Sequence, residues 1–228
     1  MDFILNGIAG AFHLLFLGDP ETYSAIAASL EVTSYSMLIS LVAGIPLGFL
    51  LGYFDFPGKR HVRTIVDTLL ALPTVFIGLM VYAFLSQRGP LGDLNLLFTL
   101  PGIAVGQAIL ALPIIIALCA TAVEGMDYPL RATLMSLGVN RRQLIQSSLW
   151  EVRYGIFAAA ITAYGRVLTE VGISMMVGGN IKWHTRTITT AIALETNKGQ
   201  FAMGIALGIV LLMIAFIVSA MLSLFRRK

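Results

Sequence analysis

The sequence predicts an all-α, polytopic membrane bundle, and three observations lead there. Of its 228 residues, 57% are hydrophobic and only 12% charged, with a mean hydropathy of +0.87. Soluble domains carry about 25% charged residues. Too few remain here to cover a water-facing surface, so lipid must cover much of it. Apolar stretches long enough to cross the hydrocarbon as helices, about 20 residues each, recur along the chain. Lys and Arg gather in alternate connections between those stretches, as they do in multi-pass proteins.

The elements follow in order. Phe3–Leu17 is apolar but short, and Asn6, Gly7, Gly10 and His13 interrupt it. It reads as an interfacial helix within residues 1–20 rather than a span. No basic n-region or cleavage site marks a signal peptide, so the N-terminus is expected to be retained. Five segments qualify as spans: Ser24–Phe54, Val62–Ser86, Leu100–Val123, Arg153–Val177 and Phe201–Leu224. One membrane domain, residues 1–228, is the simplest organisation, because no repeat, low-complexity tract or linker divides it.

Within the first span Gly44, Gly48 and Gly52 stack along one helical face, and this spacing lets another backbone approach closely. Packing inside the chain is the plainer reading, a dimer motif the sharper one. Pro73, Pro101 and Pro113 lie in or beside the second and third spans, where proline frees a carbonyl and bends a helix. Glu31 and Asp67 fall close enough to span ends to reach water. Arg166 and Glu170 stand four apart on one face well inside the fourth span. Charges there are expensive, so they pair with each other or face a cavity. Either a packing ion pair or the polar wall of a translocation path or gate satisfies that demand.

Beyond the fourth span comes a segment with Gly178, Gly179, Asn180, Lys182, His184, Thr185 and Arg186. Backbone N–H groups, hydroxyls and positive charge suit a tetrahedral oxyanion, although an ordinary outer loop with interfacial anchors has the same composition.

Lys59, Arg60 and Arg63, then Arg131, Arg141, Arg142 and Arg153, then Arg226, Arg227 and Lys228 fall on one side if there are five spans. That side is expected to be cytoplasmic, with the C-terminus there and the N-terminus outside.

The longest cytoplasmic stretch, residues 124–152, should hold a short amphipathic helix, a glycine turn at Gly138, and a second helix capped by Asn140 with Gln143. Its apolar face needs cover, from a partner's groove or from its own bundle.

Function classes narrow quickly. The single cysteine, Cys119, excludes an internal disulfide and a cysteine zinc cluster. A net charge of +3, scattered, does not suggest nucleic acid. There is no phosphate-binding G-x-x-x-x-G-K-[ST] string, no H-E-x-x-H and no G-x-S-x-G, so the chain is not expected to be an enzyme, to bind ATP itself or to hold a metal or cofactor. A channel or secondary transporter would be favoured by more intramembrane acids than the single Arg166/Glu170 pair.

The stretch around Gly138 resembles the EAA loop of ABC importer permeases, with Ala132, Thr133 and Leu134 at the Glu-Ala-Ala positions and Trp150-Glu151 where Leu-Pro is usual. Only the spacing and the glycine survive. The resemblance widens over nearly the whole chain through LPTVFIGL at 72–79, ATLMSLGVNRRQ at 132–143, the Arg166-x-x-x-Glu170 pattern and the Gly-Gly-Asn-Ile and Thr-Arg-Thr strings beyond it. The sequence is thereby identified as similar to permeases of the sulfate, molybdate and tungstate group, nearest its tungstate branch, with a type I importer bundle. The resemblance implies a homodimer forming one path for a tetrahedral oxyanion. Two soluble ABC ATPases would bind the cytoplasmic side and supply ATP hydrolysis, and an extracytoplasmic binding protein would deliver the anion. It implies that Ala132, Thr133, Leu134, Met135, Ser136, Leu137, Gly138 and Val139 couple to the ATPase. Arg166, Glu170, Gly178, Gly179, Asn180, Thr185 and Arg186 are the candidates for translocation or gating.

Overall fold

A computed structural model describes residues 2–16, 19–126 and 140–226. The expected coupling residues, Ala132 to Val139, lie outside the described residues. Every regular element described is helical: α1 (Asp2–Phe16), α2 (Pro20–Tyr53), α3 (Lys59–Leu69), α4 (Thr74–Leu85), a single 3-10 turn at Gly92–Leu94, α5 (Leu100–Glu124), α6 (Arg141–Glu151), α7 (Arg153–Leu168), α8 (Gly172–Gly178), α9 (Ile188–Asn197) and α10 (Phe201–Arg226).

Three helices, α2, α5 and α10, are long and apolar enough to cross a membrane alone. The expected second and fourth spans are each broken. α3 and α4 meet at 95°, and α7 and α8 at 58°. The first break is written in Pro73, whose extended backbone stands as N-cap of α4. Pro101 likewise sits in the opening turn of α5, where its missing N–H costs nothing. So two of the three prolines expected to bend helices start them instead; Pro113 lies inside α5, as Pro46 does inside α2.

Contact order along the helices fixes their relative directions. A Cβ on Gly44 would meet Ile115, on Gly48 Cys119, and on Gly52 Val123, so α2 and α5 run parallel with their backbones pressed together. The glycine stripe therefore serves packing within the chain. Gly155 faces Ala122, and Ala163 and Val167 share a cluster with Ile115 and Ala111, so α7 runs antiparallel to α5. In α4 and α8, Val75 faces Gly172 and Gly78 faces Met176, and both point the opposite way to α5. These directions alternate as the first four of five spans require. α1 packs along α10, Gly7 against Ile205 and Gly10 against Ala206.

The two ends of the bundle carry separate ion clusters. At one end Lys59 and Arg63 reach Glu124 at 3.7 Å each, and Arg63 also donates to the Thr121 hydroxyl at 2.7 Å. At the other, Glu21 takes Lys182 at 2.6 Å and also pairs with Arg186. α6 begins with the expected capping box, the Asn140 side chain accepting from Gln143 N–H and Gln143 returning the bond.

Candidate functional site

The break between α7 and α8 is where the intramembrane charges meet. Residues 34 to 53 of α2 suffice for the ~30 Å hydrocarbon slab if counted back from Tyr53. Val167 packs against Ala111 and Met37 within that slab. There the Arg166 guanidinium donates to Glu170 Oε2 at 2.8 Å, as the i, i+4 spacing predicts. The other carboxylate oxygen, Oε1, accepts the Gly172 N–H at 2.9 Å and the Ile173 N–H at 3.4 Å. The Glu170 carboxylate thus satisfies the first N–H groups of α8, which have no helical partner, and sits at the positive end of that helix.

The backbone carbonyl of Glu170 is claimed as well. It accepts the Ser174 hydroxyl at 3.3 Å and the Thr189 hydroxyl, from α9, at 3.0 Å. Ser174 in turn accepts from Gln107 Nε2 of α5 at 3.2 Å. Non-helical backbone inside a membrane persists only where protein or water satisfies it, and this net of α5, α7, α8 and α9 satisfies the buried Glu170 backbone while Thr169 and Val171 stay exposed. Gln107 is 3% exposed and its Oε1 has no hydrogen-bond partner among the described residues. Gln107, Ser174 and Thr189 were not picked out from sequence. Gln107 carried a signal, being the one carboxamide inside the third span; Ser and Thr are too common in spans to stand out.

The pair is lopsided. Glu170 is 3% exposed, while the Arg166 side chain is 44% exposed on the protomer surface.

The residues beyond α8 form a loop braced by its own hydrogen bonds. Gly179, with φ +68°, ends α8, and Asn180 is also left-handed. Gly178 lies hard against Ile103, which leaves no room for a side chain. Buried Thr185 accepts the Ile181 N–H at 3.1 Å and donates to the Gly178 carbonyl. Arg186 donates from Nε to Asn180 Oδ1 at 3.2 Å while its other end holds Glu21. Thr187 then caps α9 through a box with Thr190. Thr185, Lys182 and Arg186 thus engage acceptors of the chain itself, and the two cations staple the loop to the start of α2.

A multi-pass helical membrane bundle with two broken candidate spans and an Arg166–Glu170 pair buried on its acidic side is the class this geometry defines. The chain belongs to the family described as binding-protein-dependent transport system inner membrane component, whose model matches residues 44–228. It is 46% identical over 216 residues to the tungstate uptake system permease protein TupB of Campylobacter jejuni, covering 95% of this chain and 90% of that one. It is 37% identical to the TupB of Peptoclostridium acidaminophilum, covering 97% of each. The molybdenum transport system permease protein ModB of Escherichia coli K12 is 29% identical over 94% of this chain and 98% of its own. Among solved structures, a bacterial ABC transporter importing the acidic polysaccharide alginate aligns with a TM-score of 0.77 at 19% identity, covering 98% of this chain and 88% of that one. An inward-facing MetNI methionine ABC transporter aligns with a TM-score of 0.75 at 18% identity, covering 92% and 98%. The fold is accordingly that of an ABC importer permease.

Proposed function

We propose that this chain is the permease of a tungstate importer, acting as a homodimer with two soluble ABC ATPases beneath it and an extracytoplasmic oxyanion-binding protein above. The observation that carries the substrate is the near full-length identity, 46% and 37%, to two tungstate uptake permeases. The alignment with ModB makes molybdate the second reading, and vanadate shares the tetrahedral shape.

In this scheme the Lys59/Arg63/Glu124 end is cytoplasmic and the Glu21/Lys182/Arg186 end faces out. The C-terminus is then inside and the N-terminus outside, with α1 an interfacial helix docked on α10. Residues 132–139 within the 124–152 loop dock on the ATPase. ATP-driven closure of that dimer moves the docking segments, and the spans reopen outward to receive the anion. Arg166 and Glu170 form the wall or gate of the path. Gly178, Gly179, Asn180, Thr185 and Arg186 shape the outer loop above it. Selectivity rests mainly with the binding protein, since a permease needs only a weak and passable route.

The test is metal-resolved uptake in cells lacking this chain, restored with wild type or Gly138→Arg, offered tungstate, molybdate, vanadate and sulfate singly and in competition. Tungstate accumulation restored by wild type alone is the expected result. Uptake of only molybdate would replace the substrate, and full activity of Gly138→Arg would remove the docking assignment.

A further inference from the structure

The outer surface of α7 differs from every other spanning surface described. The exposed faces of α4 and α10 are apolar through their middles, with Val75, Phe76, Leu79 and Met80 on one and Leu212, Phe216 and Ile217 on the other. Phe157 is exposed near the start of α7, but from its middle onward the exposed positions are Thr162 and Arg166, with Thr169 just past its end and half-buried Gly165 between them. Thr162 adjoins Ala163, which packs with Ile115, the residue facing Gly44, so the stripe crosses the centre of the slab.

Lipid is a poor neighbour for this face. An arginine within a spanning helix is costly toward lipid, the more so with depth. Glu170 neutralises Arg166 from one side only, and the guanidinium keeps further N–H donors on its open side. A Cβ built on Gly165 meets nothing within 4 Å, in contrast to Gly155 on the same helix, whose Cβ would lie 2.5 Å from Ala122. Gly165 is therefore a glycine that packing inside the protomer does not require.

We infer that the Thr162–Gly165–Arg166–Thr169 face of α7 lines the water-filled anion path, with Gly165 preserving its clearance. This rests on the reading of the chain as an oxyanion permease and assigns Thr162, Gly165 and Thr169 to it. Both threonine hydroxyls donate back to their own helix, Thr162 to the Ala158 carbonyl at 2.9 Å and Thr169 to the Gly165 carbonyl at 3.1 Å. Their oxygens then offer lone pairs, which hold water rather than an anion. Arg166 alone meets the anion, its charge half-cancelled by Glu170, so the ion is attracted without being trapped. A tetrahedral, doubly charged oxyanion crosses this face hydrated.

The experiment uses the assembled importer in cells. Wild type is a suitable blank, because its single cysteine, Cys119, is buried. Gly165→Cys is treated with an anionic, membrane-impermeant methanethiosulfonate, with and without tungstate. Gly208→Cys on α10, where a Cβ also meets nothing within 4 Å, is the lipid-facing comparison. The expected result is that Gly165→Cys is labelled, that tungstate slows the labelling, and that labelled protein loses uptake about tenfold relative to the same variant unlabelled, as a plugged constriction should. Gly208→Cys should react only with a lipophilic maleimide and keep its uptake.

The inference is overturned if Gly165→Cys behaves like Gly208→Cys. It is equally overturned if the introduced thiols of two copies join in a disulfide while the reagent stays excluded, since the face would then be a dry dimer contact. Failure of wild type to move any oxyanion would instead sink the substrate reading. Labelling at position 165 is read independently of that outcome.

Discussion

The contact of α2 with α5 and the junction of α7 with α8 solve the same problem in opposite ways. Both must bring backbone close to backbone inside lipid, where an unpaired peptide group is costly. α2 and α5 are unbroken, and Gly44, Gly48 and Gly52 let them touch while nearly all their peptide groups bond within their own helix, Pro46 and Pro113 being the exceptions. α7 and α8 leave the Glu170 carbonyl and the Gly172 and Ile173 N–H groups open, and the side chains of Glu170, Ser174 and, from α9, Thr189 close them. A dry seam of this kind has little to rearrange. A junction held by hydrogen bonds has alternatives, because each bond can be exchanged for water or for a neighbouring donor. The first reads as a rib, the second as the place where the bundle bends.

The largest effect should come from Glu170→Ala. It leaves two α8 N–H groups without their acceptor, about 1–3 kcal/mol each, and takes the counter-charge from the half-exposed Arg166, which solvent partly screens. Thermal unfolding of the detergent-purified permease should fall accordingly, and unchanged melting would mean that the junction is not held as described. Gly48→Leu attacks the seam. Its Cβ would stand 2.7 Å from the Cys119 Cβ and 2.8 Å from the Ile116 carbonyl oxygen. Overpacking of this kind costs about 1–3 kcal/mol or more, and size-exclusion profiles should show loss of monodisperse protein. A tolerated leucine would show the seam to be looser than the rib it resembles.

Thr187→Val should cost about 1 kcal/mol, the usual worth of a helix cap. It should also speed hydrogen exchange at the start of α9 while leaving the α2–α5 seam protected. The smallest change is expected for Gln107→Met. That substitution gives up one hydrogen bond to Ser174 worth about 1 kcal/mol, but also removes a buried oxygen lacking a partner. Near-neutral melting is the prediction; a loss as large as that of Glu170→Ala would reveal a further bond to Gln107.

The seam was legible in sequence because glycine at a spacing of four can be read along a single helix. The Arg166–Glu170 pair was legible for the same reason, both partners lying on one face. The Asn140–Gln143 capping box was likewise local. What stayed hidden is what joins distant segments: Gln107 with Ser174, Thr189 with the Glu170 carbonyl, Glu21 with Lys182 and Arg186. Hydropathy also conceals direction. Val62–Ser86 is apolar enough for one span, yet it turns by 95° before Pro73. Arg153–Val177 bends at Thr169–Val171 with neither glycine nor proline in those three positions. The chemistry of the loop after α8 was visible but not its use, because composition cannot say whether a threonine hydroxyl is free or already bonded.

The shortness of α4 has a consequence for synthesis. Twelve residues make a helix about 18 Å long, well under the ~30 Å hydrocarbon thickness. Its buried side, Ile77, Val81 and Leu85, packs on Leu110 of α5 and on Ile173 and Val177 of α8. α8 leaves the ribosome only after nearly a hundred further residues have been added. The second segment to reach the membrane is therefore among the last to settle in it, and the nascent chain must hold α4 at the interface until α8 arrives to complete its seat.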